Sequence, residues 1–143
     1  MRNFIILVGL ILAPMISLAA EPCAKKKCKA ISGTNTIVIT ISIDEEGNPL
    51  PSVTELLELK PGQRIVFTGP EEFSIFFKDQ KTPFKKSEFK SKDGVVTIKI
   101  PEKIFEDKRF FEESYQDAEI EFNYGVRVNG REFDPPIIVK REE

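Results

Sequence analysis

The sequence predicts an all-β fold, a two-sheet antiparallel Greek-key sandwich of about seven strands, and three observations carry that expectation. Apolar and polar residues alternate with a period of two in most segments between residues 36 and 140. Those segments are short and are separated by turns rich in Gly, Pro and Asn. Large core residues are supplied mainly by 12 Phe, with 2 Tyr and no Trp, and each ring buries a large area when two sheets pack face to face.

Residues 1–20 stand before the fold. Arg2 is followed by the uncharged apolar run Phe4 to Leu12, and Ser17-Leu18-Ala19 or Leu18-Ala19-Ala20 offers small residues for cleavage, the pattern of a secretory signal peptide. The expected location is therefore periplasmic or secreted, with a membrane involved only if the signal stays uncleaved. Pro14 interrupts the apolar run, which at about 17 residues reaches only the lower bound for spanning a bilayer. Lys25, Lys26, Lys27 and Lys29 lie just beyond it, where positive charge disfavours translocation.

Residues 21–35 read as a linker rich in Cys and Lys, leading into a domain at 36–143. Cys23 and Cys28 are the only cysteines, spaced Cys-x₄-Cys. In an exported chain two cysteines this close are expected to close a small disulfide loop, worth roughly 2 kcal/mol and constraining the tail rather than the core. The alternative is a thiol-based redox or soft-metal-handling site, because four neighbouring lysines favour thiolate.

Within the domain, Ile37, Ile39, Ile41 and Ile43 line one face of a first strand, and Asp44 to Pro49 is a turn cluster. Thr54 to Leu59 and Gln63 to Thr68 are two extended segments joined by Lys60-Pro61-Gly62, where Pro presets φ and Gly accepts a positive value. Phe73, Ile75 and Phe77 define the next strand, and Val96, Ile98 and Ile100 another that Pro101 ends. In the stretch 102–115, behind Pro101, Ile104, Phe105, Lys108 and Phe111 recur near three and four residues, and a short helix is expected there. Ala118 to Val128 is the longest alternating strand; Asn129-Gly130 suits a two-residue hairpin turn, and Ile137 to Val139 closes the molecule after Asp134-Pro135-Pro136.

Between Lys78 and Asp93 the periodicity stops, and lysine alternates irregularly with phenylalanine. A connection this long is functional more often than a short turn is. Lys81, Lys85, Lys86 and Lys90 are the expected contacts to an anionic ligand, with Phe84 as an anchor. The bland alternative is a solvated crossover whose rings tuck under it. The second long connection, 102–117, is acidic, so the two could face each other.

Composition excludes more than the motifs prove. The chain has no His, which removes a Ser-His-Asp triad, a Cys-His dyad, a His-ligated zinc site and a His₂Cys copper site from what this chain alone can build. No metal site and no cofactor are expected. Cleavage at residue 20 would remove one charge, Arg2, from 21 basic and 23 acidic side chains, and that near-balance argues against nucleic acid as partner.

The order of segments resembles the cupredoxin-like (plastocyanin/azurin-like) family. Leu59 to Phe67 is similar to its turn into a long strand, Phe122-Asn123-Tyr124-Gly125-Val126 to its aromatic strand before the copper loop, and Asp134 to Val139 to its closing strand. Where a copper-binding member carries cysteine this chain has Val126, so the resemblance implies a degenerate member without a type 1 copper site. The expected function is a non-catalytic binding or accessory domain that contacts another envelope protein or an anionic ligand. An enzyme built on carboxylates, with Glu71, Glu72 or Asp134, is the weaker reading, because acids at turns usually solvate.

Overall fold

The computed structural model describes residues 27–29, 35–54, 56–116 and 118–141. Over these the chain forms two sheets. The larger runs in the order β1 (Lys27–Lys29), β4 (Leu56–Leu59), β11 (Pro136–Lys140), β9 (Glu119–Val128), β6 (Ser74–Phe77), β7 (Glu88–Lys90), with β10 (Arg131–Phe133) hairpinned onto β9. The smaller runs β3 (Pro49–Pro51), β2 (Thr36–Ile43), β5 (Arg64–Thr68), β8 (Val95–Lys99).

Each strand buries the face its alternation defines. Ile37, Ile39 and Ile41 of β2, Ile65 and Phe67 of β5, and Val96 and Ile98 of β8 point inward from the small sheet. Ile120, Phe122, Tyr124, Val126 and Val128 of β9 and Ile137 and Val139 of β11 meet them from the large sheet. Phe67 and Tyr124 touch across the layers with ring centroids 5.8 Å apart. The hairpin after β9 turns on Asn129 and Gly130, at φ 49° and 79°, which is the geometry that pair tolerates.

Three expectations are corrected. The sheets are mixed rather than antiparallel, because β2 pairs β5 in parallel, and β4 pairs both β1 and β11 in parallel. The chain leaves the small sheet after β3, contributes β4 to the large one and returns as β5, a crossover that brings it back in its original direction. The described residues hold eleven strands rather than seven; the additions β1, β3, β7 and β10 have three residues each, too few for a period to register. The short helix expected near 102–115 forms as α1 (Phe111–Gln116), preceded by two 3₁₀ turns, Ile104–Glu106 and Lys108–Phe110. Asp107 is extended (ψ 120°) and its side chain accepts from the Arg109 N–H, ending one turn and starting the next. Ile43, read as core, is exposed at the end of β2.

Candidate functional site

The lysine-rich connection after β6 is held by its aromatic residues. Phe77, Phe84 and Phe89 form a triangle of edge-on contacts, with centroids 5.5 Å apart for Phe77–Phe84, 6.4 Å for Phe77–Phe89 and 5.1 Å for Phe84–Phe89. This packs Phe84 and Phe89 onto the core, so the Phe84 ring points down and fixes the loop. Thr82, itself buried, accepts from the Phe84 N–H through Oγ1 (3.1 Å) and donates to the Lys86 carbonyl (3.1 Å).

The acidic connection clamps this loop from outside. Arg109 donates through Nη1 to the carbonyls of Thr82 (3.3 Å) and Phe84 (3.4 Å), while its Nη2 lies 2.7 Å from Asp107. Those hydrogen bonds, first from the Arg109 side chain and then from its backbone N–H, hold the Asp107 carboxyl below its usual range. The same contact raises Arg109. Lys81 pairs with Glu113 at 2.7 Å. The two long connections therefore do face each other, and neither Arg109 nor Thr82 carried a signal in the sequence that set it apart.

The lysines sort into two groups. Lys78 is held by Asp134, whose hydrogen bond raises the ammonium's pKa, and Lys81 is held by Glu113. Lys85, Lys86 and Lys90 are exposed, and among the described residues none has a carboxylate within 4.0 Å. Lys86 lies over the Phe89 ring, 4.4 Å from its centroid. Lys90 stands on the outer face of β7, opposite Ser74, and lines an open cleft of about 540 Å³ with Glu72, Ser74, Glu88, Arg127 and Asn129. Arg127 is already engaged by Glu88 (3.3 Å) and Glu132 (2.7 Å), which leaves Lys90 as the cleft's cation without a carboxylate partner.

The other sequence candidates separate. Glu72 lines that cleft, whereas Asp134 is occupied by Lys78, so the structure does not bring them together as an acid pair. Cys28 occupies the centre of β1, beside Leu57 of β4; Cys23 lies outside the described residues, as do residues 1–20, where a signal peptide is expected. Val126 is fully buried among apolar side chains, and with no His in the chain the donor set does not fit type 1 copper. Among the described residues no cluster of three or more His, Cys, Asp or Glu is arranged to hold a metal ion, and no helix is long and apolar enough to cross a membrane.

No family model and no curated protein matches the chain. Among solved structures it is similar to a reduced Cu(I) form of an amicyanin mutant, with 11% identity and a TM-score of 0.37 over 70% of this chain and 81% of that one. A likeness at that score assigns no family, and the β-sandwich stands on its own strand pairings.

Proposed function

We propose that this chain is an exported, non-catalytic binding or accessory domain, a cupredoxin-like scaffold without type 1 copper whose contact surface is the loop carrying Lys85, Lys86 and Lys90. The observation that supports this reading is the contrast within one loop. Lys78 and Lys81 are neutralised by Asp134 and Glu113, while the next three lysines project from a backbone fixed by the Phe77–Phe84–Phe89 triangle and the Arg109 clamp. A surface already rigid loses little entropy on binding. Cations without partners attract an acidic surface and speed its encounter. The partner class is an envelope protein presenting acidic side chains.

The test places a photo-reactive residue at the exposed Ser87, between the free lysines, in intact cells, and identifies what becomes attached. The expected result is one dominant protein with an acidic contact surface, lost when Lys85→Glu and Lys86→Glu are combined. Attachment that survives this reversal would overturn the reading, and attachment to an anionic polymer alone would replace the proposed partner class.

A further inference from the structure

An open cleft of about 460 Å³ lies at the charged end of the small sheet's outer face, lined by Asn35, Thr36, Gly62, Arg64, Lys99 and Glu102. The strand registers place Arg64 in the middle of a row, with Thr36 on one side and Lys99 on the other. The Ile100 N–H donates to the Gln63 carbonyl (2.8 Å), so the next pair along, Arg64 with Lys99, is of the kind without hydrogen bonds, in which side chains stand closer. Two cations directly opposite each other destabilise a sheet. Only one of these is neutralised, because Glu102 lies 2.7 Å from Lys99.

Arg64 differs from the other described arginines. Arg109 is paired with Asp107, Arg127 with Glu88 and Glu132, Arg131 donates to Asn48 (2.9 Å), and Arg141 lies over the Phe105 ring. Among the described residues the exposed Arg64 guanidinium has no carboxylate within 4.0 Å and no ring beneath it. The side chains of Asn35 and Thr36 likewise make no hydrogen bond among those residues. The backbone beneath them is fixed, since the Arg64 N–H donates to the Asn35 carbonyl (2.7 Å) and ties the bend before β2 to the start of β5.

We infer that this cleft, independently of the lysine loop, binds a small hydroxylated carboxylic acid of the sugar-acid class, with its carboxylate on the Arg64 guanidinium. The planar fork of arginine matches a carboxylate through two parallel hydrogen bonds. The cleft has the volume of a small-molecule site, and its lining is mostly polar, which favours a ligand rich in hydroxyl groups over an aliphatic acid. Arg64, Lys99 and Glu102 together leave one positive charge in excess, which a single carboxylate balances and a doubly charged phosphate ester overshoots. Glu102 stays ionised, because the hydrogen bond from Lys99, and then the charge of that ammonium, hold its carboxyl below the usual range. It therefore accepts from a ligand hydroxyl and repels a second negative charge, while Asn35 and Thr36 offer further donors and acceptors.

Amide chemical-shift titration of the purified chain with D-glucuronate at fixed ionic strength tests this. Saturable shifts are expected at Thr36, Arg64 and Lys99, with half-saturation at about 1 mM for a site this open to solvent. D-glucose carries the hydroxyls without the carboxylate and acetate the carboxylate without the hydroxyls, so each should bind about tenfold more weakly. Arg64→Gln should abolish the shifts; Arg64 is exposed, so the rest of the spectrum reports an intact fold. Glu102→Gln removes the repelling charge and should bind inorganic phosphate about threefold tighter than the parent chain does. No saturable shift with glucuronate, equal affinity for acetate, or saturation that survives Arg64→Gln would overturn the inference. So would inorganic phosphate binding the parent chain more tightly than glucuronate, or binding both chains alike.

Discussion

The outer face of the large sheet and the outer face of the small one use opposite chemistry. On the large sheet, Arg127 stacks over the Phe76 ring (4.5 Å) and bridges Glu88 and Glu132, Lys78 meets Asp134, and Lys140 meets Glu58 at 3.1 Å. On the small sheet the registers lay out three uncharged rows, Val38–Val66–Thr97, Thr40–Thr68–Val95 and Ser42–Leu50, and confine charge to the row Thr36–Arg64–Lys99. One face is stiffened by paired side chains laid across six strands, and the other by β-branched residues suited to a pleated surface. A partner of the kind proposed above is to be sought on the loop beside the charged face, where lysines are left over.

The largest effect should come from breaking the charged face at its tightest point. A Cβ on Gly125 would stand 2.3 Å from Phe76 Cζ and 2.6 Å from Asp134 Oδ1, so Gly125→Ala is expected to cost about 2–3 kcal/mol in urea unfolding. Phe76→Ala in the same chain should recover part of that loss, and additive losses would mean that the ring is not the obstacle.

Beneath both faces lies Tyr124, fully buried, its hydroxyl the one buried side-chain polar atom without a hydrogen-bond partner among the described residues. Tyr124→Phe should stabilise the fold by about 1 kcal/mol by removing an unsatisfied donor. Burial pushes the Tyr124 pKa up, whereas an unfolded tyrosine ionises near pH 10. The folded state therefore holds this proton longer. Stability is fully present below about pH 10 and declines as pH rises above it, and the variant should lose that alkaline decline.

A smaller loss, about 0.5–1 kcal/mol and shrinking as salt is added, is expected for Arg127→Ala, since its ion pairs are more than a third exposed and screened. The smallest effect belongs to the uncharged face. Thr40→Lys, at an exposed position of β2, should change stability by less than about 0.5 kcal/mol. A cost comparable to that of Gly125→Ala would mean that this face is covered in the native protein.

Much of the fold could be read from the chain. The alternation of β9 set its buried face and Asn129-Gly130 set its turn, because a period of two and a pair of positive φ angles are both local properties. Pro49 and Pro51 were legible only as punctuation. Which side of β3 faces β2 is set by pairing with a strand elsewhere in the chain. Parallel pairing of β2 with β5 was illegible for the same reason. At the candidate site the lysine and phenylalanine pattern marked the loop, but which lysines are neutralised depends on Glu113 and Asp134, 32 and 56 residues further along the chain. The Arg109 clamp was hidden within an acidic run, since the carbonyls it holds carry no side-chain signature.

In the function proposed above, free lysines, rather than positive charge in general, make the contact. The direct measurement is photo-capture from Ser87 in cells carrying Lys85→Glu with Lys86→Glu, set beside cells carrying Lys99→Glu with Lys103→Glu, an equal charge change on lysines already paired with Glu102 and Glu106. Loss of the captured partner in the first and retention in the second is the predicted result. Equal loss in both, or equal retention, would contradict it.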